Sequence, residues 1–308
     1  MNTIKKTLLA LMISLIALSG CKKDTNHLTK DDMHKGVNKL SVADSRLVFS
    51  TLAEYQGRIE EMSTKNDDEL IDLAANDSFT SMYEFYVESN DLSSLPAYDI
   101  ILGLLLNPQG VIQIENYVFK INLVTETVLV YQLTSNEVAN QEKVTDLYNN
   151  NKSAGISEYS TNDDLIDLLE GNFEEGKGNC SSEKLGYYYW NTSGGQVMYK
   201  IVYQKAGIYF SLQSKIKKDH WGGAEYLSIS TNDHPNVGGE NFWKNKKNCD
   251  TWFKADSGYG REYTIRPYSS ARALTDYLFS NNFYCSDNGT PYSSTLTLDC
   301  GNIQRKCY

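Results

Sequence analysis

Beyond Leu185 nearly every apolar run is short, β-branched or aromatic, and bounded by glycine or asparagine, a pattern that commits this part of the chain to strands. The runs cover 187–190, 196–204, 207–216, 224–231, 258–267 and 296–303, and Lys205-Ala206-Gly207 supplies a tight turn between the second and third. Tyrosine fits the same reading. The chain holds 22 Tyr against 10 Phe and 4 Trp, and tyrosine suits a pleated, half-wet surface. Residues 269–284 are ambiguous: Leu274, Tyr277 and Leu278 suit a helix, while 277–284 suits an aromatic strand and is read as one. Regular strands with Gly and Asn turns predict a β-sandwich.

The first half carries a different period. Thr51-Leu-Ala-Glu54 has capping-box spacing, and Leu52, Tyr55, Ile59 and Met62 follow at helical intervals, which predicts a helix over 51–62. Asn66 to Glu69 opens a second helix with Leu70, Leu73 and Ala74. Phe79, Met82, Tyr83, Tyr86 and Val87 continue the period and read as a packed helix face. A further helix is expected from Pro96 through Leu106, closed by Asn107-Pro108-Gln109-Gly110. Three β-rich runs follow at 111–114, 117–121 and 127–131, parted by short polar turns, which predicts an antiparallel meander.

From Thr134 to Lys184 the chain turns polar and reads as a linker or insertion, with one short helix capped at Asn162 and carrying Leu165, Ile166, Leu168 and Leu169. The expected fold class is therefore α+β: a small helical module with a β-meander over 46–135, a linker or insertion over 136–184, and a mainly antiparallel, sandwich-like domain over 185–308. Apolar residues at 41% and charged residues at 22% allow a proper core in a chain of 308 residues.

Residues 1–20 read as a signal peptide, with Lys5 and Lys6 as a positive n-region and 8–18 as an apolar stretch too short to span a bilayer. Leu18-Ser19-Gly20-Cys21 resembles the lipobox of bacterial lipoproteins. The resemblance implies a thioether-linked diacylglycerol on Cys21, cleavage just before it and acylation of the new amino terminus by a fatty acid such as palmitate. Each buried methylene contributes about 0.8 kcal/mol, so two or three chains hold firmly where one does not. Residues 21–45 read as a flexible tether. Asp24, Asp31 and Asp32 give only a sparse acidic run after the cysteine, of the kind that routes some such lipoproteins to the cell surface. Further along, Leu104 to Ile114, Tyr117 to Lys120 and Tyr203 to Leu212 resemble uncharacterised secreted lipoproteins of gut-type Bacteroidota over most of the mature chain. That resemblance implies an outer-membrane compartment and a shared architecture, and carries no known activity.

Charge narrows the partners. The formal net charge is -10, and loss of Lys5 and Lys6 with the signal peptide takes it to -12, so nucleic acid is excluded as a natural partner and membrane attachment rests on lipid. Five cysteines remain after Cys21: Cys180, Cys249, Cys285, Cys300 and Cys307. Export permits disulfides, and their clustering in the second half is expected to staple the sandwich, with no pairing assigned. Zinc ligation needs paired short spacings that are lacking here, so no metal and no cofactor are expected. His220 or His234 with Cys249, and Asp250 beside it, are the residues from which a thiolate-imidazole pair can be drawn, but no local motif supports one.

The feature with functional content is aromatic. Trp190, Trp221, Trp243 and Trp252 fall in or beside loops of the β region, where exposed rings stack on sugar faces and neighbouring Asn and Asp bond hydroxyls. Core packing of the same rings is the competing expectation. The function expected is a non-enzymatic, lipid-anchored envelope protein binding glycan or protein. A hydrolase of envelope or dietary polymer with no recognisable site is the alternative, and a structural or adhesive surface subunit the third.

Overall fold

A computed structural model describes residues 46–74, 79–174, 185–193, 195–218, 226–237, 252–259 and 262–300. The protein is α+β, with a few helices and three mainly antiparallel sheets. The first sheet, in order β1 to β5, joins Val48–Phe49 (β1), Val111–Ile114 (β2), Tyr117–Asn122 (β3), Thr127–Gln132 (β4) and Ile156–Ser160 (β5). Only β1 pairs in parallel.

Helix α1 (Leu52–Ser63) starts where Thr51 accepts from the Glu54 amide, but the Glu54 carboxylate reaches back to Ser50 N–H rather than closing the box on Thr51. Helix α2 (Asp67–Ala74) does close its box, with Asn66 and Glu69 exchanging both bonds. Ser81 and Glu84 do the same for α3 (Met82–Glu88). Such caps are worth about 1 kcal/mol each because they satisfy amides that the first turn leaves without partners. Helix α4 is shorter than the sequence predicts: it spans Ile100–Leu105 and begins on Asp99, whose carboxylate accepts from Ile101 N–H, so Pro96 stands outside it.

Strands β3 and β4 show four consecutive buried positions each, because both faces of the sheet are covered. On one face Ile112, Ile114, Phe119, Ile121, Val128 and Val130 meet α1, α2 and α4. On the other, Val118, Leu129 and Tyr131 meet Val144 and Leu147 of α5 (Glu137–Tyr148). The polar stretch expected as a linker or insertion thus supplies α5, β5 and α6 (Ile166–Leu169). Its short helix starts on Leu165 without a side-chain cap, not at Asn162.

The remaining strands form two four-stranded sheets. One has the order β11-β8-β7-β6, from Glu262–Ser270 (β11), Phe210–Lys218 (β8), Gly195–Lys205 (β7) and Leu185–Thr192 (β6); the other has the order β10-β9-β12-β13, from Trp252–Gly258 (β10), Tyr226–Val237 (β9), Leu274–Asp287 (β12) and Thr290–Cys300 (β13). The ambiguous segment is strand from Leu274 onward, because its aromatics alternate into the sandwich. Tyr203, Leu212, Tyr268 and Phe279 fill one end of the interior, and Tyr199, Ile216, Ile229 and Phe283 the other.

The β7–β8 turn docks into the core of the first sheet. Ala206, Ile208 and Tyr209 belong to that core, and Tyr55 donates its hydroxyl to Ile208 O at 3.0 Å. Gly207 sits at φ +76, where a Cβ would lie 2.8 Å from Leu165, and its amide and carbonyl bond Thr161 O and Leu165 N–H. A larger residue at this turn is therefore opposed by both conformation and packing.

Two buried charge clusters bolt the helices to the sandwich. Arg266 of β11, 4% exposed at its side chain, reaches Asp99 at 3.1 Å and Asp67. Arg272 bonds Asp164, Asp167 and Glu170 around α6. No disulfide is seen among the described residues, and Cys285, a free thiol buried in the sandwich interior, is compatible with the one unpaired cysteine that five must leave. Its neighbours across the sheet are Tyr292 and Leu227, while Cys300 pairs with Tyr277, eight positions away along β12. At about 3.3 Å per residue these two cysteines are roughly 26 Å apart along the strands and cannot bridge.

Candidate functional site

Among the described residues, two places at opposite lateral edges of the sandwich gather groups with binding chemistry. The first is the edge formed by β6. Alternation puts Tyr188 and Trp190 on the same face as Tyr199 and Val197 of β7, and this face turns toward β12 and β13. Trp190 stacks on Tyr199 with ring centroids 4.2 Å apart and planes 28° from parallel, and Tyr188 stacks on the same ring at 5.6 Å and 21°. Tyr292 and Phe283 close the inner side at 6.2 and 5.3 Å. Tyr199 is fixed by a 3.1 Å bond between its hydroxyl and Ser294 Oγ.

Exposure falls off along this ladder. Tyr188 is 47% exposed, Trp190 is half-buried and Tyr199 is buried. The ladder is therefore anchored inside and wet outside. Nearby, Asn191 accepts from Gln196, and the β6–β7 turn is held to the β12–β13 turn by Asp287, which accepts from Ser193 N–H and Oγ at 2.7 Å.

The second place is a cleft between the α1–α2 turn and the β10–β11 side of the sandwich. Two adjoining cavities of about 450 and 320 Å³ share Asn66, Asp256 and Thr264. Asp67 and Glu262 also line it, but their charges are already engaged: Asp67 pairs with Arg266, and Glu262 with Lys215 and Lys217. Asp256 is exposed and its Oδ1 accepts from Ser257 N–H at 2.8 Å. The hydroxyl oxygen of Thr264 is buried without a hydrogen-bond partner.

The floor beneath this cleft is unusually polar for a sheet covered by helices. Asp99 is fully buried and accepts from Arg266 Nε, Tyr209 Oη, Ser211 Oγ and Ile101 N–H. Burial on its own would raise the Asp99 carboxyl, but Arg266, with the two hydroxyls and the amide, outweighs it and holds the pKa below the ordinary carboxylate value. Tyr209 is pushed well above its usual value, by burial first and then by Asp99, and stays a donor. Lys200 of β7 lies directly opposite Lys215 of β8, and burial together with that neighbour lowers its ammonium to about 8.

Of the tryptophans singled out in the sequence, Trp190 belongs to the edge ladder. Trp252 opens β10, the strand that carries Asp256, and pairs with Asp233. Strands β6 and β10 are edge strands on opposite sides, so the structure does not bring Trp190 and Trp252 together. Trp221 and Trp243 lie outside the described residues, as do Cys21, Cys180, Cys249, Cys307 and His220. His234 is on β9 opposite Leu278. The cleft residues carry no local sequence signal, since Asp67 and Asp256 are far apart in the chain. The one hint is Arg266, a cation within an otherwise apolar strand run.

No family model matches the chain, and no curated protein does. Among solved structures, a DUF4848 family protein from Bacteroides thetaiotaomicron aligns over 83% of this chain and 98% of its own, at 8% identity and a TM-score of 0.22. An overlap at that level bears no weight for fold or function.

Proposed function

We propose that the protein is an exported, lipid-anchored component of the cell envelope whose β-sandwich binds glycan without transforming it. Support for the anchor is the register of Lys5-Lys6, the apolar stretch 8–18 and Leu18-Ser19-Gly20-Cys21. The observation that carries the binding reading is the aromatic ladder on β6, in which Trp190 and Tyr188 stack on a fixed, buried Tyr199 while their outer surfaces stay wet. Rings held this way lose little side-chain freedom when a sugar face lies against them.

Two measurements test the reading. Growth with a labelled fatty acid should mark the wild-type protein and leave Cys21→Ser unmarked; an unmarked wild type refutes the anchor. On an oligosaccharide array, Trp190→Ala should lose about tenfold in affinity, equivalent to about 1.4 kcal/mol. An unchanged array profile for that variant refutes the ladder as the contact.

A further inference from the structure

We propose that the cleft between the α1–α2 turn and the β10–β11 side of the sandwich is a second binding site, for an uncharged oligosaccharide, with Asp68, Asp256 and Thr264 as its contacts. It shares the ligand class of the edge ladder but none of its residues.

The chemistry of the walls selects the ligand. Together the two cavities fall in the size range of small-molecule sites, roughly 300–1,000 Å³. An anion meets the exposed carboxylates of Asp68 and Asp256 and is repelled. An apolar ligand strips water from those carboxylates and from the Lys65 and Arg266 side without replacing their hydrogen bonds. A strongly cationic ligand meets Lys65 and Arg266 on the same wall, and Asp67 and Glu262 are already held by Arg266, Lys215 and Lys217. What remains complementary is a molecule rich in hydroxyls, each of which donates and accepts.

Three wall groups have capacity for it. Asp68 stands exposed in the first turn of α2, and Asp256 uses only one of its oxygens on Ser257. Thr264 contributes the telling feature, a buried hydroxyl oxygen with no partner at a position lining both cavities. Buried polar atoms are nearly always bonded, and a ligand hydroxyl satisfies this one whether as donor or acceptor. The ion pairs of Asp67 and Glu262 keep the surrounding planar groups in place before a ligand arrives.

The full chain is tested on an array of neutral, N-acetylated, sulfated and uronate oligosaccharides, with Asp256→Asn, Thr264→Val and Trp190→Ala alongside. Wild type should bind neutral members, and Thr264→Val should weaken part of that signal about tenfold while its melting temperature stays level or rises, because the isostere removes an unbonded hydroxyl. Asp256→Asn should weaken the same subset. If both cleft variants leave every neutral signal unchanged, or if only sulfated and uronate glycans bind, the proposal is overturned. Loss confined to Trp190→Ala leaves the edge reading standing and ends this one; loss confined to the cleft variants does the reverse. An array with no signal refutes both.

Discussion

Asp99→Asn is the most informative single change to the fold. The substitution keeps size and shape, and the new amide can still meet Tyr209 and Ser211, whose hydroxyls reorient. What it removes is the buried negative charge facing the Arg266 Nε–H at 3.1 Å. That leaves Asp67, one-third exposed, as a counter-ion of a guanidinium whose side chain is 4% exposed. Removing one partner of such a buried pair costs about 3–5 kcal/mol. At about 2 °C per kcal/mol for a unit of this size, the melting temperature should fall by roughly 6–10 °C at pH 7. The sign with pH follows from the lowered Asp99 pKa. Its contribution is complete above the unfolded carboxylate value of about 3.9 and is lost as pH falls through the folded value, so the gap between wild type and variant should close in acid. The double variant Asp99→Asn/Arg266→Met should recover part of the loss, since it removes the stranded cation. Thermal and urea unfolding from pH 3 to 7 measure all three. A fall under 2 °C at pH 7, or a double variant as unstable as the sum of the singles, would show that the pair does not hold the helices to the sandwich.

Lys200→Met should raise the melting temperature at pH 7. The native ammonium, lowered to about 8, binds fewer protons than the unfolded one, so wild-type stability climbs between about pH 8 and 10.4 and the variant's advantage should shrink across that window. Gly110→Ala places a Cβ 2.4 Å from Ile121 O at φ +79, and should cost more than about 2 kcal/mol by urea unfolding. Gly57→Ala, mid-helix with open space around it, should gain about 0.5–1 kcal/mol in the same assay. Cys285, whose thiol burial and then Asp287 push up to about 11, should resist maleimide in native protein and react at once in denaturant; rapid native labelling would contradict its place in the interior.

Local pattern was enough for much of this molecule. The first helix, the meander at 111–114, 117–121 and 127–131, and most strands after Leu185 follow from periodicity, because each is set by which neighbouring residues share a face. Periodicity misplaced the start of α4, since Asp99 caps better than Pro96 initiates, and it missed β5, which has no fully buried position, and α5, whose polar outer face hides a narrow buried stripe of Val144 and Leu147. It singled out Trp190, in the run 187–190 that also holds Tyr188, but not the Tyr199 and Tyr292 rings around it.

What the sequence by itself determined is the order of most helices and strands and the alternation that builds a two-sheet sandwich, both encoded within windows of a dozen residues. Only the tertiary structure decided that Asp67, Asp99 and Arg266 meet, that Cys285 is buried without a disulfide, and that Asp68, Asp256 and Thr264 face one cleft. The reason is distance along the chain. Contacts between residues some 170 to 200 positions apart are set by how sheets and helices stack, and no local pattern carries that information.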